Sequence, residues 1–208
     1  GHFRAVSVVQ EEILMTIHLY LAPAATGKTS NLVEWARQTG QGLPGLVRVA
    51  VPTRLQGWAW RRRLAEAGGS LGIRVQPFDQ LYIDCLTAAG QTYTLLTEPV
   101  QYRLIQAVME AVQPSYYASL IGRPGFIHRL QQLIGELKAA RIHPNTLAEA
   151  ITDLGSPARL REIAQIYAAY QDRLARHNWA DWAGLGWLAV ELLETGQPLP
   201  ALDSRPLI

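Results

Sequence analysis

Gly27-Lys28-Thr29 is the triplet in this 208-residue chain whose residue types and order promise chemistry. A loop ending Gly-Lys-Thr at a helix start gathers backbone N–H groups, the positive end of the helix dipole, an ammonium and a hydroxyl. That set suits nucleotide phosphates and Mg²⁺. In such a loop Gly27 lets the backbone approach closely, Lys28 reaches the β- and γ-phosphates, and Thr29 holds the metal. Ala24, Ala25, Thr26, Gly27, Lys28 and Thr29 are therefore the candidate nucleotide-binding residues, with Lys28 and Thr29 the candidate catalytic pair and Thr29 the candidate metal ligand. The flanks supply the required context. Ile17–Tyr20 reads as a strand that runs through Leu21 into the loop, and Ser30–Gln38 reads as a helix. Where the usual pattern opens with glycine this loop has Ala22, and Pro23 and Ala25 fill two further places where glycine is common. Alanine resists φ > 0, which lowers the expected affinity of the cradle. The bland alternative, a turn that happens to spell Gly-Lys-Thr, is opposed by the strand before it and the helix after it.

A second group of side chains with binding chemistry is Thr53, Arg54, Trp58, Trp60 and Arg61-Arg62-Arg63. At helical spacing Trp58, Arg61 and Arg62 share one side, and Trp60, Arg63 and Leu64 another. Guanidiniums beside aromatic faces suit single-stranded nucleic acid, where stacking contributes roughly 1–3 kcal/mol per base. The alternative is that a tryptophan packs into the core while the arginines form a solvated face. Phe78, after a third strand, is a further candidate for nucleic-acid contact.

Composition sets the limits. The chain is 49% hydrophobic and 17% charged, so it forms a core, and a net charge of +2 does not by itself mark a nucleic-acid binder. The basic surplus lies in residues 1–95, which carry nine Lys/Arg against six Asp/Glu. Lys28 and Lys138 are the only lysines, which makes a lysine in the loop less accidental. The single cysteine, Cys85, excludes an internal disulfide and reads as a small core residue. The five histidines show no metal-ligand spacing, so no metal is expected beyond nucleotide-borne Mg²⁺. No apolar run approaches the roughly 18 residues of a membrane span and nothing resembles a secretory signal, which points to a cytoplasmic protein.

The elements that must position these residues follow in order. Leu46–Pro52 reads as a second strand, the segment from Leu55 to a Gly68-Gly69 stop as a helix, Gly72–Val75 as a third strand and Phe78–Ala89 as a helix. Strands alternating with helices imply a parallel α/β sheet, with ligands bound beyond the strand C-terminal ends. From about residue 96 only helices are expected: Pro99–Val112, Tyr116–Ile121, Phe126–Arg141, Pro144–Ile151, Pro157–Arg176, and one capped by Asp181 running to about Leu193. The reading is thus an α/β domain over 15–95, a helical insertion over 96–197, and the start of a returning strand over 198–208. Gly1-His2 resembles a tag remnant and Met15 a native start, so 1–14 is assigned as a tag remnant or N-terminal extension. The apolar turn at Pro206-Leu207-Ile208 is taken as the point where an N-terminal fragment stops as the α/β domain resumes.

Taken together, these segments resemble the N-terminal part of UvrD/Rep-type superfamily 1 DNA helicases, and most of all their AddB/RexB-type relatives in ATP-dependent helicase-nucleases. APAATGKT is similar to that family's phosphate loop. AVPTRLQGWAWRRRL (50–64) and VQPFDQLY (75–82) look like its next two motifs, which border single-stranded DNA. GFIHRLQQLIGELKAARIHP and LREIAQIYAAYQDRLARHNWADW resemble the group's helical insertion. The resemblance implies a RecA-like P-loop NTPase fold, ATP and Mg²⁺ as cofactors, and DNA contacts at Thr53, Arg54, Trp58, Arg61 and Phe78. It implies single-stranded or unwinding duplex DNA and a second helicase-nuclease subunit as partners, with no membrane. Gln10 lies too close to the strand to act as the group's adenine-reading glutamine. The metal-binding carboxylates and second-domain arginines of the group are expected beyond Ile208, so no more than residual ATP turnover and no unwinding are expected of residues 1–208. Two rival readings are a non-hydrolysing helicase-derived scaffold and a small-molecule P-loop kinase with a helical lid.

Overall fold

The computed structural model describes residues 4–9, 16–21, 23, 26–41, 47–69, 71–196 and 207–208. The chain divides into two compact units, 1–78 with 204–208, and 79–203.

In the first unit, strands β1 (Arg4–Val9) and β2 (Thr16–Leu21) form an antiparallel pair, with Arg4 opposite Leu21 and Val9 opposite Thr16. Helix α1 (Lys28–Thr39) leads to β3 (Val47–Val51), α2 (Arg54–Glu66) and β4 (Ile73–Pro77). β3 and β4 pair in parallel, from Val47 opposite Ile73 to Val51 opposite Pro77. Leu207 bridges Arg48 in the parallel sense, with Ile208 N–H donating to Arg48 O and Ala50 N–H donating to Ile208 O, both at 2.8 Å. The parallel α/β character is present, but the expected sheet of three strands is corrected in its first member. Among the described residues β2 pairs with β1 and not with β3. A six-residue connection makes that hairpin a short-range pairing with a small closure cost. Consistent with this, Leu19, Tyr20 and Leu21 are exposed, and the core of the unit comes from α1 (Val33, Ala36), β3 (Val47, Val49, Val51), α2 (Leu64) and β4 (Val75). β4 also runs two residues past its expected end, so Gln76 and Pro77 belong to the strand and α3 (Phe78–Ala88) follows without a loop.

The second unit is helical: the rest of α3 from Asp79, then α4 (Glu98–Val112), a short 3₁₀ turn at Ala118–Leu120 where a longer helix is expected, α5 (Pro124–Ala139), α6 (Pro144–Asp153), α7 (Ala158–His177) and α8 (Trp182–Glu194). A parallel pair of two-residue strands, β5 (Thr94–Leu95) and β6 (Trp179–Ala180), adds a feature the helical periodicity does not announce. The apolar stripes of α4, α5 and α7 meet around Ile105, Met109, Ile127, Ile134, Ile166 and Tyr167, all essentially without solvent exposure. Cys85 and Leu86 of α3 pack against Leu185, Ala189 and Leu192 of α8 in a second cluster, which gives Cys85 its core role. No helix among the described residues is long and apolar enough to cross a membrane.

A polar knot lies inside this bundle. Lys138, 3% exposed, donates to both oxygens of Asp181, at 2.8 and 2.9 Å, and to Gln171 Oε1 at 3.0 Å. Asp181 caps α8 through Gly184 N–H at 2.6 Å and accepts the Tyr170 hydroxyl at 2.7 Å. A Cβ on Gly184 would lie 2.8 Å from both Asp181 Oδ1 and Lys138 Nζ, so only glycine fits beside the pair. Burial pulls the Lys138 ammonium below the usual lysine range, against the opposing pull of Asp181. Burial also raises the Tyr170 hydroxyl, with the Asp181 charge adding to it, and pushes Tyr167 up to about 12.

Lys138→Met leaves Asp181 buried without its counter-charge, and chemical denaturation is expected to show a loss of about 3–5 kcal/mol. A loss below about 1 kcal/mol would contradict this account of the pair.

The tyrosines give a pH prediction. Above pH 10 the unfolded chain releases Tyr167 and Tyr170 protons that the folded chain retains, so stability falls as pH rises, for Tyr167 through about 12. Lys138, with its lowered value, acts in the opposite sense up to the usual lysine range of 10.5. In an absorbance titration at alkaline pH, Tyr167 and Tyr170 should ionise only as helical circular dichroism is lost, and Tyr170→Phe should remove one residue from that late phase.

Candidate functional site

The phosphate-loop candidates sit where the chain enters α1. Gly27 precedes the helix at φ 82°, ψ 15°, a left-handed conformation that costs glycine nothing and an alanine about 1–2 kcal/mol. Among the described residues no side chain caps this N-terminus and its first turn holds no carboxylate, which leaves the positive end of the helix dipole without an acidic partner in its own first turn. Lys28 Nζ donates to Pro23 O at 2.6 Å, and the Thr26 hydroxyl donates to the same carbonyl at 2.8 Å. Asn31 donates through both its backbone N–H, at 3.0 Å, and its side-chain Nδ2, at 3.1 Å, to Gly27 O. Thr26 and Lys28 thus both turn back onto Pro23. Ala24 and Ala25, also candidates, lie outside the described residues, as does Ala22.

Thr29 lies on a different side of α1 from Lys28. It lines a cleft of ≈ 350 Å³ together with Val51 and Pro52 at the end of β3, and Gln56, Trp60 and Arg63 of α2. Gln56 and Arg63 were not singled out from the sequence as partners of Thr29. Their seven-residue spacing on one helix face is the signal that groups them, but the face itself becomes known only once α1 and α2 are packed together. Among the described residues lining this cleft there is no carboxylate.

The nucleic-acid candidates divide by what holds them. Thr53 caps α2, its hydroxyl oxygen accepting from Gln56 N–H at 3.2 Å. Arg61 reaches from α2 to β4, where Nη2 donates to Val75 O at 2.7 Å. Arg62 pairs with Glu66 on the surface at 2.8 Å. Trp60 is half-buried against the core, whereas Trp58 is 66% exposed and Arg54 is exposed beside it on the helix. Phe78, 41% exposed, follows Pro77, and Pro77 is opposite Val51 in the parallel register. The C-terminal ends of β3 and β4 therefore bring Thr53, Arg54 and Phe78 to the same edge of the sheet, the edge at which Thr29 lines its cleft. No cluster of three or more metal-ligating side chains occurs among the described residues.

A family model described as ADDB, N-terminal, matches residues 22–195, from the phosphate loop to the end of α8. The chain belongs to the AddB N-terminal family. The match spans both compact units of this AddB N-terminal chain. No curated protein matches it.

Proposed function

We propose that this chain is the nucleotide- and DNA-binding N-terminal part of a helicase-like DNA repair or recombination protein, an AddB-like subunit of an ATP-dependent helicase-nuclease. The observation that carries the reading is the entry to α1: a left-handed Gly27, an N-terminus without a side-chain cap, and Lys28 and Thr29 directly after it. These groups fit a nucleoside triphosphate. The exposed N–H groups and Lys28 would hold its phosphates, and Lys28 would exchange Pro23 O for a β- or γ-phosphate oxygen. Bound Mg²⁺ would neutralise phosphate charge. Thr29 offers a hydroxyl and Gln56 an amide oxygen among the described residues of the cleft, so phosphates and water supply most of its ligands. Single-stranded DNA would lie across the strand ends, with Arg54 against a phosphate and Trp58 and Phe78 against bases. Thr53 and Arg61 position α2 for that contact.

A second reading, a helicase-derived scaffold that kept the shape and lost hydrolysis, is favoured by Ala22, Pro23 and Ala25, which stand where a phosphate loop commonly has glycine. Family membership leaves the small-molecule kinase without support.

Nucleotide binding is tested by thermal denaturation. Mg²⁺ and ATP at about 100 times the dissociation constant stabilise by about 2.7 kcal/mol, roughly 5–11 °C in a chain of this size. Lys28→Ala should abolish the shift, and no shift in the wild type at millimolar ATP would remove the nucleotide site.

DNA binding is read by fluorescence anisotropy of a labelled single-stranded oligonucleotide across a salt series. Arg54→Ala should lower the slope of log K against log salt by about 0.7, the loss of one phosphate contact. Trp58→Ala should weaken binding at every salt concentration without changing the slope. No binding at low salt would refute the DNA contact.

A further inference from the structure

The phosphate loop has an aromatic neighbour that the nucleotide-binding reading does not use. Lys28, Asn31, Leu32 and Trp35 recur at helical spacing along one face of α1, and with Tyr20 of β2 they line a cleft of ≈ 200 Å³. That space is below the roughly 300 Å³ at which pockets take a whole drug-sized ligand, and suits a single planar ring system. Tyr20 and Trp35 are 42% and 40% exposed, a large aromatic area for side chains that border a concavity. Trp35 lies seven residues beyond Lys28, about 10 Å along the helix, a separation that a ribose and an α-phosphate bridge.

Asn31 gives the cleft a preference. Its amide orientation is set by a protein acceptor: Nδ2 donates to Gly27 O at 3.1 Å, and a carbonyl can take only the N–H₂ end. Asn31 lines the cleft, and the other end of its amide, Oδ1, is an acceptor. An acceptor there selects a ring with an exocyclic amine over one with a carbonyl at the same place.

We infer that this cleft receives the base of the bound nucleotide, a 6-aminopurine whose ring stacks on Tyr20 and Trp35 and whose amine donates to Asn31 Oδ1. The inference rests on nucleotide binding at the phosphate loop. It adds the part of the ligand that Lys28 and Thr29 do not contact, and it gives Tyr20, Asn31 and Trp35 a role in choosing the nucleotide.

The test separates base from phosphate. Isothermal titration of the full chain in the presence of Mg²⁺ uses three probes: ATP, inosine triphosphate, which has a carbonyl where adenine has its amine, and inorganic tripolyphosphate, which has no base. The wild type is expected to bind ATP about tenfold more tightly than inosine triphosphate, as one hydrogen bond implies, and more tightly still than tripolyphosphate. Trp35→Ala should bring ATP most of the way to the affinity of tripolyphosphate and leave tripolyphosphate unchanged. Trp35→Phe, which keeps a ring, should retain most of the preference, and circular dichroism of both variants should match the wild type. Lys28→Ala should weaken all three probes. Equal affinity for ATP and tripolyphosphate in the wild type, or unchanged ATP affinity in Trp35→Ala, would overturn the base site alone. Failure of both ATP and tripolyphosphate to bind would remove the phosphate site, and this inference with it.

Discussion

The arrangement of the helical unit depends on one buried ion pair, Lys138 with Asp181. Taking two charges out of water costs several kcal/mol each, and the cost is met here only because every strong partner is in place. The three ammonium hydrogens have three acceptors, on Asp181 and Gln171, while the carboxylate also accepts from Tyr170 and from the first turn of α8. Net stabilisation from such a pair is small, but its demand for geometry is large. Any other rotation of α5, α7 or α8 would strand a charge in an apolar interior, so the pair selects one packing of three helices among the many that leucine and isoleucine stripes would tolerate. The same demand explains why position 184 has no side chain: the space a Cβ would need holds both charged groups.

In the first unit the comparable constraint is the anchoring of α2. Thr53 fixes its start, Gly57 is buried beside Val51, Leu64 enters the core, and Arg61 ties it to the β4 backbone. A helix held at four places along its length has little freedom left to lose. Arg54 and Trp58 are consequently displayed by a fixed platform, and whatever they meet does not bear the ordering cost of the helix itself. The phosphate loop follows another logic. Lys28 and Thr26 both donate to the Pro23 carbonyl, so a ligand must compete with that contact for the ammonium, which the charged oxygens of a polyphosphate do.

What could be read from the sequence was what local chemistry determines. Periodicity and proline or glycine punctuation placed α1, α2 and most of the later helices within a few residues, and the Asp181 cap follows from its place before an apolar run. The resemblance in APAATGKT, in residues 50–64 and in the helical segments pointed to the AddB family, to which the chain belongs. What escaped depended on partners distant in sequence. Nothing near Lys138 says that its counter-ion is Asp181, and nothing near Arg61 names the Val75 carbonyl. The strand TIHLYL carries no mark of which neighbour it will choose, and β1 lies in a segment set aside as an extension. Gln76 and Pro77 read as a loop because proline ends strands as readily as it starts turns; only pairing with Ala50 and Val51 decides the matter.

The parallel bridge between Arg48 and Leu207 orders events in time. β3 is made early, and its hydrogen bonds to Ile208 join it to residues synthesised only after the whole helical unit. The helices, whose packing partners lie within one unit, can fold before residues 207–208 are made, while β3 keeps the edge that those residues pair with open through that interval. The polar backbone along Arg48 and Ala50 is then a place where a chaperone, or a strand of the wrong chain, can bind a nascent molecule before residues 207–208 arrive.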